Sequence, residues 1–153
     1  MTQTEPSSSS PSARQKWMSI LARASAEELA VRLAALPPLP AGETLRAPET
    51  GLVMVRGRAG GDGDAFNLGE MTVTRCAMRL GVHIGHAYIA GRDHTKARLA
   101  ALLDAALQNG ALHDALMQAV VEPLAAAQQA ERAAEARKAA ATRVDFFTMA
   151  TMR

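Results

Sequence analysis

Apolar residues near the start of the chain recur every three or four positions, which is the spacing of a helix with one buried face. The first series is Trp17, Ile20, Leu21 and Ala24, and the second is Leu29, Leu33 and Leu36. Each series follows a capping-box pattern, Ser12 with Gln15 and Ser25 with Glu28, which satisfies free backbone donors at a helix start. The pattern predicts two helices, the second ended by "PPLP" at 37–40.

From residue 43 to residue 91 the spacing shortens, and β-branched residues, methionine and glycine occur in short runs. We expect four strands, near 43–47, 51–58, 68–79 and 83–90. The links between them are "PETG", "AGGDGDAF" and "LGV", which are short enough for an antiparallel meander. The alternation of apolar and polar residues is interrupted within 71–80, which indicates a bulge or a change of partner strand.

Helical spacing returns after Asp93, which suits the cap of a helix that runs to about Gln108. The expected buried face of this helix is Leu99, Leu102, Leu103 and Ala106. "NG" at 109–110 ends it, and Pro123 fits the first turn of the last helix. The helix between them carries Leu112, Leu116 and Val120. This order predicts an α+β fold: two N-terminal helices, a roughly four-stranded antiparallel sheet, then C-terminal helices with an interaction tail.

The last helix differs from the others, because from Ala125 to Arg143 it has no apolar side chain larger than alanine. Such a sequence favours helix but has no stripe to bury, so we expect an arm of roughly 28 Å at ~1.5 Å per residue. The apolar residues directly after it are Val144, Phe146, Phe147, Met149 and Met152. Burying four of them contributes about 6–12 kcal/mol, at ~1.5–3 kcal/mol each. We expect this group to dock on a partner subunit, and folding back onto its own domain is the alternative.

The length of 153 residues suits one domain with a modest core. We expect a disordered Ser/Pro tail at 1–11 without the features of a secretory signal, a single α+β domain at 12–122, and the arm with its docking segment at 123–153. The single cysteine, Cys76, excludes an internal disulfide and indicates a cytoplasmic location. No run approaches ~18 apolar residues, so no membrane partner is expected.

Positive charge is carried mainly by arginine, whose planar group suits phosphate and carboxylate. The best candidate for anion binding is Arg92 in "GRDHTK", because a strand-to-helix junction presents free N–H groups. Arg58 and Arg75 are further candidates along the sheet. Ordinary ion pairs are the alternative at each position, and Asp93 competes for the helix start. The net charge of +2 and the 3% aromatic content argue against a nucleic-acid partner.

The stretch "RAGGDGD", residues 58–64, has the glycine and aspartate content of a phosphate or calcium loop. Phe66 stands where a dinucleotide-binding loop needs its third glycine, no Lys-Ser or Lys-Thr follows as in a P-loop, and the calcium ligand series is broken. A hairpin turn accounts for the same residues, since glycine and aspartate tolerate positive φ. We therefore expect this stretch to turn the chain.

The histidines do not have the spacing of a metal site. His83 and His86 are three residues apart on a predicted strand, so their side chains should point to opposite faces. His94 and His113 fall in the first turns of helices, where exposure to solvent is expected. No G-x-S-x-G nucleophile elbow occurs, and the sequence predicts no catalytic residue and no metal ligand.

Four stretches, in order along the chain, carry a family resemblance: "RQKWMSILA", "ETGLVMVRGRAGGDGDAF" with "GEMTVTRCAMRL", "AYIAGRDHTKARLAALLDA" and "RVDFFTM". Together they resemble the PhnG subunit family of the bacterial carbon–phosphorus lyase system. The resemblance covers most of residues 14–149. The alanine-rich arm and the "GVHIGH" turn match only loosely.

The resemblance implies a subunit that joins PhnH-, PhnI- and PhnJ-like proteins in a hetero-oligomeric complex. With PhnI, PhnH and PhnL, such subunits support displacement of adenine from ATP by a phosphonate, which gives a ribose 1-phosphonate 5-triphosphate. The resemblance assigns adenine displacement to PhnI and cleavage of the carbon–phosphorus bond to PhnJ. It implies no cofactor in this subunit, with ATP and Mg as substrate of the complex. The alternative function is a stand-alone small enzyme that binds a nucleotide or phosphate at Arg92 and residues 58–64.

Overall fold

The two N-terminal helices begin where the capping pattern places them. In the computed structural model, which describes residues 12–58 and 63–144, α1 spans Ala13–Arg23 and α2 spans Ala26–Ala34. Both capping boxes form, with Ser12 before α1 and Ser25 before α2. The reciprocal bonds satisfy donors that a helix start leaves free. The predicted tail at 1–11 lies outside the described residues.

The sheet contains three antiparallel strands in the described part of the chain, where the sequence predicts roughly four. The strands are β1 at Glu43–Gly57, β2 at Phe66–Leu80 and β3 at His83–Ala90, and their order across the sheet is β1-β2-β3. The α+β class is confirmed. The count differs because the two strands predicted near 43–47 and 51–58 form one continuous strand, β1.

The sequence "PETG" at 48–51 lies within β1, where a turn is predicted. Arg46 pairs with Ala77 and Glu49 with Arg75, so three steps along β1 match two along β2. This irregularity is a β-bulge, and a bulge leaves one residue unpaired, which suits Pro48 because proline has no N–H. Proline and glycine mark bulges as well as turns, so the pattern alone could not separate the two.

The C-terminal helices follow the predicted order. Asp93 caps α3 at His94–Leu107, Asn109 caps α4 at Gly110–Leu116, and α5 spans Glu122–Ala141. A π-helical turn, Met117–Val121, joins α4 to α5 without a break. Among the described residues, no helix is both long enough and apolar enough to cross a membrane.

The core lies between one face of the sheet and the helices, with α3 at its centre. Of the four residues predicted for the buried face of α3, Leu103 and Ala106 are fully buried, while Leu99 and Leu102 are half-buried. The buried face is wider than predicted, because the alanines at 97, 100, 101 and 105 are buried as well. These small side chains allow α3 to approach the sheet closely.

The last helix leaves the core partway along its length. Leu124 in its first turn is buried, whereas every side chain from 135 to 141 is exposed. The alanine-rich sequence therefore forms a helical arm. Of the predicted docking group, Val144 is 68% exposed. Phe146, Phe147 and Met149 lie outside the described residues, so docking by this group stays a prediction.

Candidate functional site

The sheet has one face against the helices and an opposite one, here called the outer face. Thr74, Cys76 and Met78 of β2 are buried toward the helices. Side chains alternate between the two faces along a strand, so Arg75 and Arg79 point to the outer face. Their neighbours on β3 share the outer face, because residues paired across strands lie on the same side. The outer face presents Glu43, Arg46, Glu49, Arg75, Arg79, Ile84, His86 and Tyr88.

A shallow depression of about 410 Å³ lies on the outer face, and its walls include Arg46, Arg75, His86 and Tyr88. Arg75 Nε lies 2.6 Å from Glu49 Oε1, and Arg46 Nη1 lies 3.3 Å from the same oxygen. The hydrogen bond to Glu49 raises the pKa of Arg75. An anion entering the depression would compete with Glu49 for both guanidinium groups. Exposed ion pairs are weak because water screens them, so an anion could compete with Glu49 for these arginines.

The three arginines predicted to bind anions lie at separate positions. Arg75 pairs with Tyr88 in mid-sheet, whereas Arg58 follows the last residue of β1, opposite Phe66. The nine steps along β2 from residue 66 to residue 75 correspond to about 30 Å at ~3.3 Å per residue. Arg92 lies beyond the end of β3, between Gly91 at φ 88° and Asp93. The structure therefore does not gather these arginines into one pocket, and anion binding at any of them stays a prediction.

The start of α3 is capped by its own sequence. The Asp93 carboxylate accepts a hydrogen bond of 2.8 Å from the backbone N–H of Lys96. A carboxylate in this position satisfies a free donor and meets the positive end of the helix dipole. Of the two possibilities that the sequence left open at "GRDHTK", the cap by Asp93 is present. Arg92 beside it is exposed.

The histidines take separate roles. His83 pairs with Leu80 and His86 with Ala77, which places the two imidazoles on opposite faces of the sheet, as predicted. His94 Nε2 lies 3.0 Å from Thr50 Oγ1. His94 is exposed, as predicted, whereas His113 is half-buried and its Nδ1 lies 2.7 Å from the Leu107 carbonyl oxygen, so the expectation of solvent exposure was wrong for His113 alone. Across residues 12–58 and 63–144, no three His, Cys, Asp or Glu side chains are grouped as metal ligands.

The thiol of Cys76 is held in the sheet. Its Sγ donates a hydrogen bond of 3.3 Å to the carbonyl oxygen of Arg46, and burial raises the pKa of the thiol. A protonated thiol is a poor nucleophile, because the thiolate is the reactive form. Cys76 therefore has the environment of a structural residue.

The glycine-rich stretch at 58–64 connects β1 to β2. Gly57 and Phe66 pair at the end of the ladder, and Gly63 has a φ of 87°. Residues 59–62 lie outside the described range. The position of the stretch between two paired antiparallel strands agrees with the predicted hairpin turn.

A buried carboxylate that the sequence analysis did not single out lies between the helices and the sheet. Asp104 of α3 is fully buried, and its Oδ1 accepts hydrogen bonds from Arg14 Nε at 3.1 Å and Trp17 Nε1 at 2.9 Å. Oδ2 accepts from Arg14 Nη2 at 2.7 Å and from the backbone N–H of His86 at 2.9 Å. The sign of this buried carboxylate in the sequence is an aspartate that stands among the apolar alanine and leucine residues of α3. Its bonds join α1, α3 and β3, which is a structural role.

The comparison with known proteins agrees with the resemblance of the four stretches. A family model described as "Phosphonate metabolism protein PhnG" matches residues 12–151. The chain is also 49% identical over 137 residues to a protein of Rhizobium meliloti (strain 1021) described as "Alpha-D-ribose 1-methylphosphonate 5-triphosphate synthase subunit PhnG". That match covers 89% of this chain and 87% of the relative. The chain therefore belongs to the PhnG family of phosphonate metabolism proteins.

Proposed function

We propose that this chain is an accessory subunit of a synthase complex in phosphonate catabolism. In the proposed reaction a phosphonate displaces adenine from ATP, with Mg, and gives a ribose 1-phosphonate 5-triphosphate. The observation that carries the proposal is the 49% identity to a relative named as a subunit of the corresponding methylphosphonate synthase. PhnI-, PhnH- and PhnJ-like proteins are the proposed partners, and the cytoplasm is the proposed location.

The side chains of the described residues support an accessory role. The one thiol is buried and protonated, and the arginines of the outer-face depression are paired with Glu49. His83 and His86 cannot act together, because they lie on opposite faces. We therefore place the adenine-displacing groups on a partner, and we assign this chain the task of completing the assembly.

The function is tested by reconstitution. Purified partner subunits are mixed with ATP, Mg and methylphosphonate, and released adenine is measured with and without this chain. We expect adenine release to fall at least tenfold when the chain is omitted, because the assembly is then incomplete. An unchanged rate would remove the proposed function. Turnover of ATP by this chain alone would instead favour the stand-alone nucleotide enzyme.

The C-terminal docking group makes a second prediction. Deleting residues 144–153 should reduce recovery of the chain with its PhnI-like partner severalfold, because the deletion removes two phenylalanines and two methionines. Deleting residues 1–11 is the control of similar length, since that segment lies outside the family match that spans 12–151. Equal recovery of both deletion variants in co-purification would show that the group does not dock there.

A further inference from the structure

β1 and β2 continue well past the end of β3. β3 ends at Ala90, which pairs with Val73, whereas β1 and β2 stay paired as far as Gly57 and Phe66. Residues 52–57 and 66–72 therefore form a two-stranded ribbon, here called the projecting ribbon, whose longer strand has seven residues. Seven residues at ~3.3 Å each give it a length of about 23 Å.

Large apolar side chains are exposed along this ribbon. They are Leu52 at 63%, Met54 at 54%, Phe66 at 48%, Leu68 at 56% and Met71 at 39%. A two-stranded ribbon without a covering layer is marginally stable in water, because neither face is buried. Contiguous exposed apolar side chains mark a surface that another molecule covers.

The apolar side chains lie on both faces of the ribbon. Leu52 pairs with Thr72, and Met54 pairs with Glu70, so Leu52 and Met54 share the face that continues from the helix-covered side. Val53 pairs with Met71 between them, and both therefore point to the opposite face. A partner that packed on one face alone would leave the other set of side chains in water.

The root of the ribbon is fixed to the domain by hydrogen bonds. Thr74 Oγ1 donates to the Gly91 carbonyl oxygen at 2.7 Å, and the Gly91 N–H donates to the Thr72 carbonyl oxygen at 2.9 Å. Thr50 Oγ1 lies 3.3 Å from Thr74 Oγ1 and 3.0 Å from His94 Nε2. These bonds tie β1, β2 and the start of α3 together where the ribbon leaves, which limits the entropy lost when the ribbon is bound.

We propose that the projecting ribbon inserts into an apolar groove of a different subunit of the synthase complex, an inference that rests on the proposed function. A second copy of this chain is a poorer occupant, because two ribbons packed face to face would each leave one apolar face exposed. Enclosing a rod about 23 Å long with a cross-section of ~10 Å by ~10 Å covers on the order of 900 Å². Stable complexes bury ~800 Å² per partner. Enclosure thus supplies a standard interface, whereas packing on one face supplies roughly a quarter of that rod's surface.

The test changes one side chain on each face of the ribbon. The full-length double variant Leu52→Ser with Met71→Ser is compared with the control Val31→Ser with Val82→Ser, whose valines are 64% and 89% exposed on α2 and in the β2–β3 turn. Each protein is co-expressed with the PhnI-, PhnH- and PhnJ-like subunits, and recovery of the complex is quantified. We expect at least a tenfold loss for the ribbon variant and wild-type recovery for the control.

Three results would overturn the inference. The first is recovery of the ribbon variant equal to that of the control. The second is a chain that is dimeric when purified alone and becomes monomeric in the ribbon variant, since this would assign the ribbon to a second copy. The third is wild-type chain that co-purifies with none of the subunits. Circular dichroism of each isolated variant checks that it is folded. Adenine release measured with and without the wild-type chain tests the proposed function separately, so either idea can fail while the other stands.

Discussion

Replacing Asp104 with alanine should lower the free energy of unfolding by about 3–5 kcal/mol. The carboxylate is fully buried and accepts four hydrogen bonds, from the Arg14 guanidinium, the Trp17 indole and the His86 backbone N–H. Its removal leaves the buried indole and backbone donors without an acceptor, and each unsatisfied buried donor costs about 1–3 kcal/mol. Arg14, which is 40% exposed, can turn to water and offsets part of the loss.

Asp114→Ala is the matched control, because it makes the same substitution at an exposed position of α4. Its effect should stay within about 0.5 kcal/mol. Both variants are measured by urea unfolding of the isolated chain. Asp104→Asn should fall between the two, since the amide keeps one acceptor oxygen but turns an NH2 group toward donors. Equal midpoints for Asp104→Ala and Asp114→Ala would show that the network contributes nothing to stability.

Local signals allowed the sequence to predict the helix starts. A capping box joins residues only three positions apart, so Ser12 and Ser25 could be recognised without knowing any tertiary contact. The alanine-rich arm was predicted for a similar reason, since it requires only high helix propensity and the lack of a large apolar stripe.

Pairing between distant segments was harder to predict. The bulge between Arg46 and Glu49 could not be told from a turn by local sequence, because it depends on pairing with β2, which lies 26 residues away in the Glu49–Arg75 pair. The bonds of Asp104 to Arg14 and Trp17 span 90 and 87 residues. No local pattern encodes such contacts. The projecting ribbon was missed for the same reason, because it exists only through the difference in length between β3 and its two longer neighbours.

Gly85 should be the position in β3 that is least tolerant of a side chain. A Cβ atom built there would collide with the backbone oxygen of Ala101 and the backbone nitrogen of Ala105, and would lie 3.0 Å from the Cα of Ala105. These atoms belong to α3, which packs directly on β3 through its buried alanines. Main-chain atoms of a helix cannot rotate away as a side chain can, so the strand and the helix would have to separate.

Gly85→Ala is therefore expected to lower the free energy of unfolding by about 3 kcal/mol or more, at or above the upper end of the ~1–3 kcal/mol typical of overpacked cores. The matched control is Gly51→Ala in β1, where a new Cβ meets nothing within 4 Å. That variant should be unchanged or more stable by up to about 1 kcal/mol, because alanine restricts the unfolded chain more than glycine does.

Urea unfolding of both glycine variants separates a steric cost from a general cost of alanine in a strand. If the two variants lose equal stability, the close approach of α3 to β3 does not determine the effect. If Gly85→Ala alone is destabilised, the small residues of α3 are required by geometry. The loss should then extend to the neighbouring bond between the His86 N–H and Asp104, because any movement of α3 away from Gly85 lengthens that 2.9 Å contact as well.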